Sequence, residues 1–378
     1  MIKIMPIFGT RPEAIKLAPV IRALQHSEWA NVRICVTGQH REMLDQVLEV
    51  FDIKPDHDLN IMAPNQDPYD VVAKASIGLR GAFRKEKPDI ILVQGDTTTV
   101  FVASLVAFYE DIKVGHVEAG LRTKDKHNPF PEEIYRRLTS VLTDIHFAPT
   151  ERSKKSLLAE GFDPRRIFVT GNTVIDALLW ALEIIKQAPH PDVEKLRKWV
   201  CQTVGENRIV LITAHRRESF GQPFRDMLGA MKELALAHEE IHFVYPVHLN
   251  PNVRQPAHEI LEGIKNVHLI EPLSYLPFVW LMDRSYLILT DSGGIQEEAP
   301  TLAKPVLVMR EVTERPEGIE TGTSILVGRD KKKIIATVES FLTDSSLYKG
   351  VAQISNPYGD GRASERIVDI LYRYFETQ

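Results

Sequence analysis

Cysteine is scarce: Cys35 and Cys201 are the two present in 378 residues. They lie far apart and match neither a zinc-ligand nor a redox spacing, which excludes a disulfide-stapled scaffold and a cysteine-metal centre. Basic charge is not in excess either. With 46 Lys and Arg against 51 Asp and Glu, the formal net charge is −5, so composition gives no argument for a nucleic-acid partner. Long apolar runs are missing. None approaches the roughly 20 residues that span a bilayer, and no signal-like segment precedes the first strand pattern, so the expectation is a cytoplasmic protein without a membrane partner. Finally, no strand pattern is followed by G-x-G-x-x-G or G-x-x-x-x-G-K-[ST], and H-E-x-x-H does not occur. No nicotinamide cofactor and no metal are expected.

What is present is a chain 44% apolar and 26% charged, ordinary for a globular enzyme and long enough for two or three domains. Short apolar runs alternate with amphipathic helical patterns throughout, the signature of parallel α/β folds. Strand patterns fall at residues 2–8, 32–37, 90–93, 113–117, 145–148 and 167–170. A second series falls at 209–213, 241–245, 267–270, 286–290, 305–308 and 324–327. A helical pattern over 174–186 and a proline-bearing stretch at 187–192 separate the two series. The organisation expected is an α/β fold with two Rossmann-like doubly wound domains, the first over 1–171 and the second over 172–361. The last helix, within 362–378, is expected to return to the first domain.

Ligands of open α/β sheets bind beyond the carboxyl ends of the strands, so the residues that follow each strand carry the chemistry. After the first come Arg11 and Lys16. Thr10 and Glu13 have capping-box spacing and Pro12 suits a first helical turn, but cations at a helix start oppose its dipole unless an anion sits between them. After the third comes Gly95-Asp-Thr-Thr-Thr99, with Asp96 either a helix cap or a site acid. The next strand ends in His116-Val-Glu118, and Pro131-Glu-Glu133 opens a helix shortly after. Asp96, Glu118 and Glu132 at one sheet edge read together as general acid/base groups. In the second series, His215 followed by two arginines suits a diphosphate, and His248 is a second histidine at a strand end. Ser292-Gly-Gly294, between a strand and a helix start, offers free N–H groups and close approach to a phosphate. Glu298, four residues past Gly294, shares its helix face and suits ribose hydroxyls.

Phe8-Gly-Thr-Arg-Pro-Glu13, Gly95-Asp-Thr-Thr-Thr99, His116-Val-Glu-Ala-Gly-Leu-Arg-Thr123, Pro131-Glu-Glu133, His215-Arg-Arg-Glu218, Tyr245-Pro-Val-His-Leu-Asn-Pro251 and Asp291-Ser-Gly-Gly-Ile-Gln-Glu-Glu-Ala-Pro300 resemble the non-hydrolysing UDP-N-acetylglucosamine 2-epimerases. Thr313-Glu-Arg-Pro-Glu317 and Asn356-Pro-Tyr-Gly-Asp-Gly361 match too, so the likeness runs the length of the chain. The resemblance implies the GT-B architecture with an inter-domain active-site cleft, no added cofactor, and a homodimer. It implies interconversion of UDP-N-acetylglucosamine and UDP-N-acetylmannosamine for surface polysaccharides. It places Arg11, Lys16, Asp96, Glu118 and His215 in the substrate cleft, Ser292, Gly293 and Gly294 on the diphosphate, Glu298 on the ribose, and Leu273 and Phe278 at the uracil. Gln39, Arg216 and His248 match positions of a second, activating UDP-N-acetylglucosamine, while Asn65 stands where some members have a basic residue.

The implied chemistry suits these residues. The sugar C2 proton is not beside a carbonyl, so it cannot simply be removed. A base can take it while UDP leaves from C1, giving a 2-acetamidoglucal to which UDP adds back with protonation from the other face. The loss is anti and the return syn, which calls for more than one proton-transfer group. The rival readings are a GT-B glycosyltransferase, a hydrolysing epimerase of the same UDP-sugar, and a nucleotide-sugar-binding regulator.

Overall fold

The protein is described by a computed structural model covering residues 1–38, 41–63, 66–123 and 125–377, with Arg41 and Glu42 described by their backbone alone. It forms two compact units, Met1–Trp180 with Tyr358–Gln378, and Ala181–Pro357. The helix Thr173–Gln187 contributes residues to both.

Unit one is built on β1 (Ile2–Phe8), β2 (Ala30–Val32), β3 (Cys35–Val36), β4 (His57–Asp58), β5 (Ile90–Gln94), β6 (Lys113–Val117), β7 (Ile145–Ala148) and β8 (Ile167–Val169). All pair in parallel in the order β4-β3-β1-β5-β6-β7-β8, with β2 also on β1. Strands covered on both faces need continuous apolar runs rather than alternation. Accordingly Ile4–Phe8 and Ile90–Gln94 are buried throughout. The single strand expected over 32–37 is divided into β2 and β3. The interruption lies opposite Met5 and Pro6 of β1, and a proline offers no amide to a ladder. β4, two residues long, is too short to leave a period in the sequence.

Unit two is built on β9 (Arg208–Thr213), β10 (Ile241–Pro246), β11 (Val267–Ile270), β12 (Leu287–Thr290), β13 (Val306–Val308) and β14 (Ser324–Leu326). The order is β11-β10-β9-β12-β13-β14, again all parallel. Each sheet therefore runs outward one way from its first strand and then reverses. The reversal lies between β1 and β5 in unit one and between β9 and β12 in unit two, the positions where doubly wound sheets open a crevice at their carboxyl ends. The helix Ala363–Glu376 packs on Arg11–Gln25 within unit one. Its first turn is held by buried Asp176, which accepts from Ala363 N–H at 3.2 Å and Ser364 N–H at 2.7 Å.

The chain leaves β6 through a sharp turn in which Glu118 has φ 66° and Gly120 φ 90°. A Cβ at Gly120 would also lie 2.3 Å from the Ser153 carbonyl oxygen, so both backbone conformation and space demand glycine. Gly120→Ala is expected to cost about 2–4 kcal/mol of unfolding free energy. Gly161→Ala, at φ 88° but in open space, is expected to cost about 1 kcal/mol. Equilibrium urea unfolding of both variants checks the contrast.

His116 of β6 and His146 of β7 are in register and both buried. Burial, then Arg122 and Arg136, push His116 down to about 4. Burial, then His116, Arg122 and Arg166, push His146 down to about 3. The unfolded chain takes up these protons first, from about pH 6.5. Stability is therefore complete above that pH and is lost as pH falls toward 4, by on the order of 3 kcal/mol for His116 alone. Urea unfolding between pH 7 and 4 checks the slope, and imidazole nitrogen shifts still neutral at pH 5 check its source.

Candidate active site

In unit one the loops that follow β1, β5 and β6 hold one another through charged side chains. Glu13, in the first turn of Arg11–Gln25, is 2% exposed. It accepts from Gly9 N–H at 2.9 Å, Thr10 N–H at 2.6 Å and the Thr97 hydroxyl at 2.5 Å. The capping-box spacing of Thr10 and Glu13 thus appears as a contact. Burial pushes the Glu13 carboxyl up, against the pull of those hydrogen bonds. Arg11 is the first residue of the helix and half-buried.

One turn on, Lys16 Nζ meets both oxygens of Glu118, at 2.8 and 2.6 Å. Buried Gln94 donates its amide to the same carboxylate. The anion that a cation near this helix start called for is here a protein carboxylate. Asp96 accepts from Arg136 Nη2, and Arg136 also lies 3.5 Å from Glu133. Glu133 is fully buried and accepts from Thr123 N–H and Arg137. Glu132 opens the helix Glu132–Leu142 and is half-buried. Its carboxylate makes no hydrogen bond or ion pair among the described residues. His116 points inward, its Nε2 2.7 Å from Gly95 O, and serves the turn that carries Asp96. The sheet thus brings Asp96 and Glu118 to neighbouring strand ends, each with its own cation.

In unit two the ends of β9 and β12 are joined by the Thr213 and Thr290 hydroxyls, 2.6 Å apart. Fully buried Asp291 accepts from His215 N–H at 2.7 Å and Arg216 N–H at 2.8 Å. The His215 ring has Nδ1 3.5 Å from the other Asp291 oxygen. It stacks on His248, with centroids 5.4 Å apart and planes 16° apart. Burial, then the nearby His248 and Arg216, lower the His215 pKa despite Asp291.

The Ser292-Gly293-Gly294 turn opens the helix Gly293–Glu298, and no side chain caps it. Neither glycine has a positive φ. A Cβ at Gly293 would meet the Arg315 guanidinium at 3.7 Å and Arg216 Nη2 at 3.9 Å, and one at Gly294 would meet Glu298 Oε2 at 3.9 Å. These are ordinary van der Waals separations. Neither conformation nor packing within the chain requires glycine here. Two guanidinium groups and one buried carboxylate face the turn. Tyr275 OH lies 3.5 Å from Glu298 Oε1. Leu273 and Phe278 flank it in sequence, both half-buried at the start of the helix Tyr275–Arg284.

Arg315 and Arg310 are not among the residues that the sequence points to. Arg315 pairs with Glu297, and Arg310 is buried beside Glu218 and Glu314. Burial raises the Glu314 carboxyl, but Arg310, Arg216 and Arg315 outweigh it and the pKa falls below its ordinary value. The signal was Thr313-Glu-Arg-Pro-Glu317, a matched segment whose arginine follows no strand directly. Asp291 and Arg136 likewise carry no clear signal, one at the polar end of a strand and the other on a helix face. Gln39, expected at an activator site, lies outside the described residues, as does Asn65. Arg216, expected there too, faces Gly293. Among the described residues no three or more His, Cys, Asp or Glu are grouped to hold a metal ion, and no helix is long and apolar enough to cross a membrane.

Known proteins are similar in both sequence and fold. The family model described as UDP-N-acetylglucosamine 2-epimerase matches residues 22–372. The UDP-N-acetylglucosamine 2-epimerase of Escherichia coli K12 is 52% identical over 98% of this chain and 98% of its own. A probable UDP-N-acetylglucosamine 2-epimerase of Ralstonia solanacearum is 51% identical over 99% of this chain and all of its own. Among solved structures, the Neisseria meningitidis UDP-GlcNAc 2-epimerase bound to UDP-GlcNAc superposes with a TM-score of 0.91 at 50% identity. It covers 98% of this chain and 100% of its own. The Methanocaldococcus jannaschii UDP-GlcNAc 2-epimerase, in complex with UDP-GlcNAc and UDP, gives 0.82 at 37% identity, over 98% of this chain and 100% of its own. With two parallel Rossmann-like sheets and this agreement along nearly its whole length, the chain belongs to the UDP-N-acetylglucosamine 2-epimerase family.

Proposed function

We propose that the protein interconverts UDP-N-acetylglucosamine and UDP-N-acetylmannosamine without hydrolysis and without an added cofactor. The observation that carries this is the turn at Gly293 and Gly294, where nothing in the chain demands glycine, two arginines converge and a buried carboxylate waits one helical turn away. A diphosphate fits such a seat. Main-chain N–H groups of Ser292, Gly293 and Gly294 bind its oxygens, Arg216 and Arg315 balance its charge, and Glu298 accepts from ribose hydroxyls. Leu273 and Phe278 border the uracil.

The proton chemistry falls to Asp96, Glu118 and Glu132. A carboxylate takes the C2 proton, and the C2–H electron pair becomes the C1–C2 double bond. The C1–O bond breaks with its electrons on the UDP oxygen. In the reverse sense that oxygen re-forms the bond to C1 while C2 is protonated from the opposite face. Arg11, His215 and the glycine turn stabilise the diphosphate as its charge grows. Lys16 and Arg136 hold the Glu118 and Asp96 carboxylates in place.

Incubation with UDP-N-acetylglucosamine in D₂O, followed by NMR, tests the function. UDP-N-acetylmannosamine carrying deuterium at C2 is expected. Free N-acetylmannosamine would make the protein a hydrolase, and unchanged substrate would make it a transferase or a binding protein. Gly293→Ala is expected to leave the melting temperature in place and weaken UDP binding about 10- to 100-fold, the loss of one or two charged hydrogen bonds. Calorimetric titration checks it. Asp96→Asn and Glu118→Gln are expected to keep UDP binding and lose about 10²–10⁴ in kcat. Near-normal turnover in either variant removes that residue from the proton transfer.

A further inference from the structure

The turn that carries Asp96 is tied down on both sides from within unit one. On the N-terminal side, His116 Nε2 lies 2.7 Å from Gly95 O. A carbonyl only accepts, so Nε2 carries the hydrogen and donates. On the C-terminal side, the Thr97 hydroxyl donates to Glu13 Oε1 at 2.5 Å. The other Glu13 oxygen accepts from Gly9 N–H and Thr10 N–H, the two residues immediately before Arg11. One carboxylate therefore spans the loop after β1 and the loop after β5.

A helix cap does not explain this arrangement. The capping box needs only the Thr10 amide and sits well at a surface, whereas glutamate is rarely fully buried. Glu13 is 2% exposed, and its burial works against its charge. What burial adds is a short, low-dielectric connection between two strand ends that solvent does not compete for. Its ends are Arg11, assigned above to the diphosphate, and Asp96, assigned to the proton.

We infer that Glu13 is a positioning residue, acting through Thr97 to fix the Asp96 carboxylate relative to Arg11. The inference rests on the reaction proposed above. Arg136 sets the charge balance of Asp96, whereas the Glu13–Thr97 bond sets where its backbone lies. A shift of the acid by about an ångström costs up to about a hundredfold in rate, while the nucleotide seat on the other unit is untouched.

The experiment compares Thr97→Val and Thr97→Ser with the unaltered enzyme, measuring kcat, KM, UDP affinity and melting temperature, with deuterium incorporation at C2 as the rate readout. Thr97→Val removes the hydroxyl at nearly constant volume and leaves Glu13 on Gly9 and Thr10. It is expected to lower kcat about 10- to 100-fold with KM and UDP affinity within about twofold. Thr97→Ser, which keeps the hydroxyl, is expected to restore most of the rate. A merely structural role lowers the melting temperature without this split, because the folded fraction would turn over normally. Unaltered kcat in Thr97→Val, or failure of serine to restore it, overturns the inference. If the unaltered enzyme incorporates no deuterium, the proposed function falls and takes this inference with it. An active enzyme with an indifferent Thr97→Val overturns this inference alone.

Discussion

Each sheet of this protein closes its crevice with one buried carboxylate that captures main-chain amides. In a parallel sheet the strand ladder stops at the carboxyl edge, and the amides just beyond it need acceptors. Unit one supplies Glu13, which takes Gly9 and Thr10 N–H after β1. Unit two supplies Asp291, which takes His215 and Arg216 N–H after β9. In both, the carboxylate also crosses the reversal of strand order, from Glu13 to Thr97 after β5 and from Asp291 after β12 to the loop after β9. A charge-assisted bond in a dry setting is strong, and leaving such a carboxylate without partners is costly. The loops that present Arg11, Asp96, His215 and Arg216 inherit their geometry from these two groups.

Charge around the crevices follows the same economy. Unit one pairs two of its acids with a cation, Glu118 with Lys16 and Asp96 with Arg136. Unit two gathers arginines instead. Arg216, Arg310 and Arg315 lie among Glu218, Glu297 and Glu314, and Arg216 and Arg315 reach the glycine turn. A base must be ionised beside the proton it takes, and a departing diphosphate needs positive charge already in place, so the two inventories differ in the sense the proposed elimination requires. The two histidines differ in role as well. His116 is buried and braces a turn, while His215 is partly exposed beside His248.

Local pattern was enough for the alternation of elements and for the polar residues that follow the strand ends. Apolar runs such as Ile90–Gln94, followed by Gly95-Asp96, mark a buried strand and its exit without any tertiary information, because the pattern is local. Ser292-Gly293-Gly294 was legible for the same reason. The tertiary structure decided the partners. Lys16 and Glu118 are 102 residues apart, and no local signal says that the cation at one helix start meets an acid two strands away. Arg315 reaches the glycine turn through folding alone, since nothing in the periodicity of its segment marks it. The division of residues 32–37 into two strands was set by Pro6 on a neighbouring strand, and a pattern read along one strand carries no record of the strand beside it. Identity and order of the elements are written in local periodicity and turn chemistry; which charge meets which is decided by the strand order of the sheets.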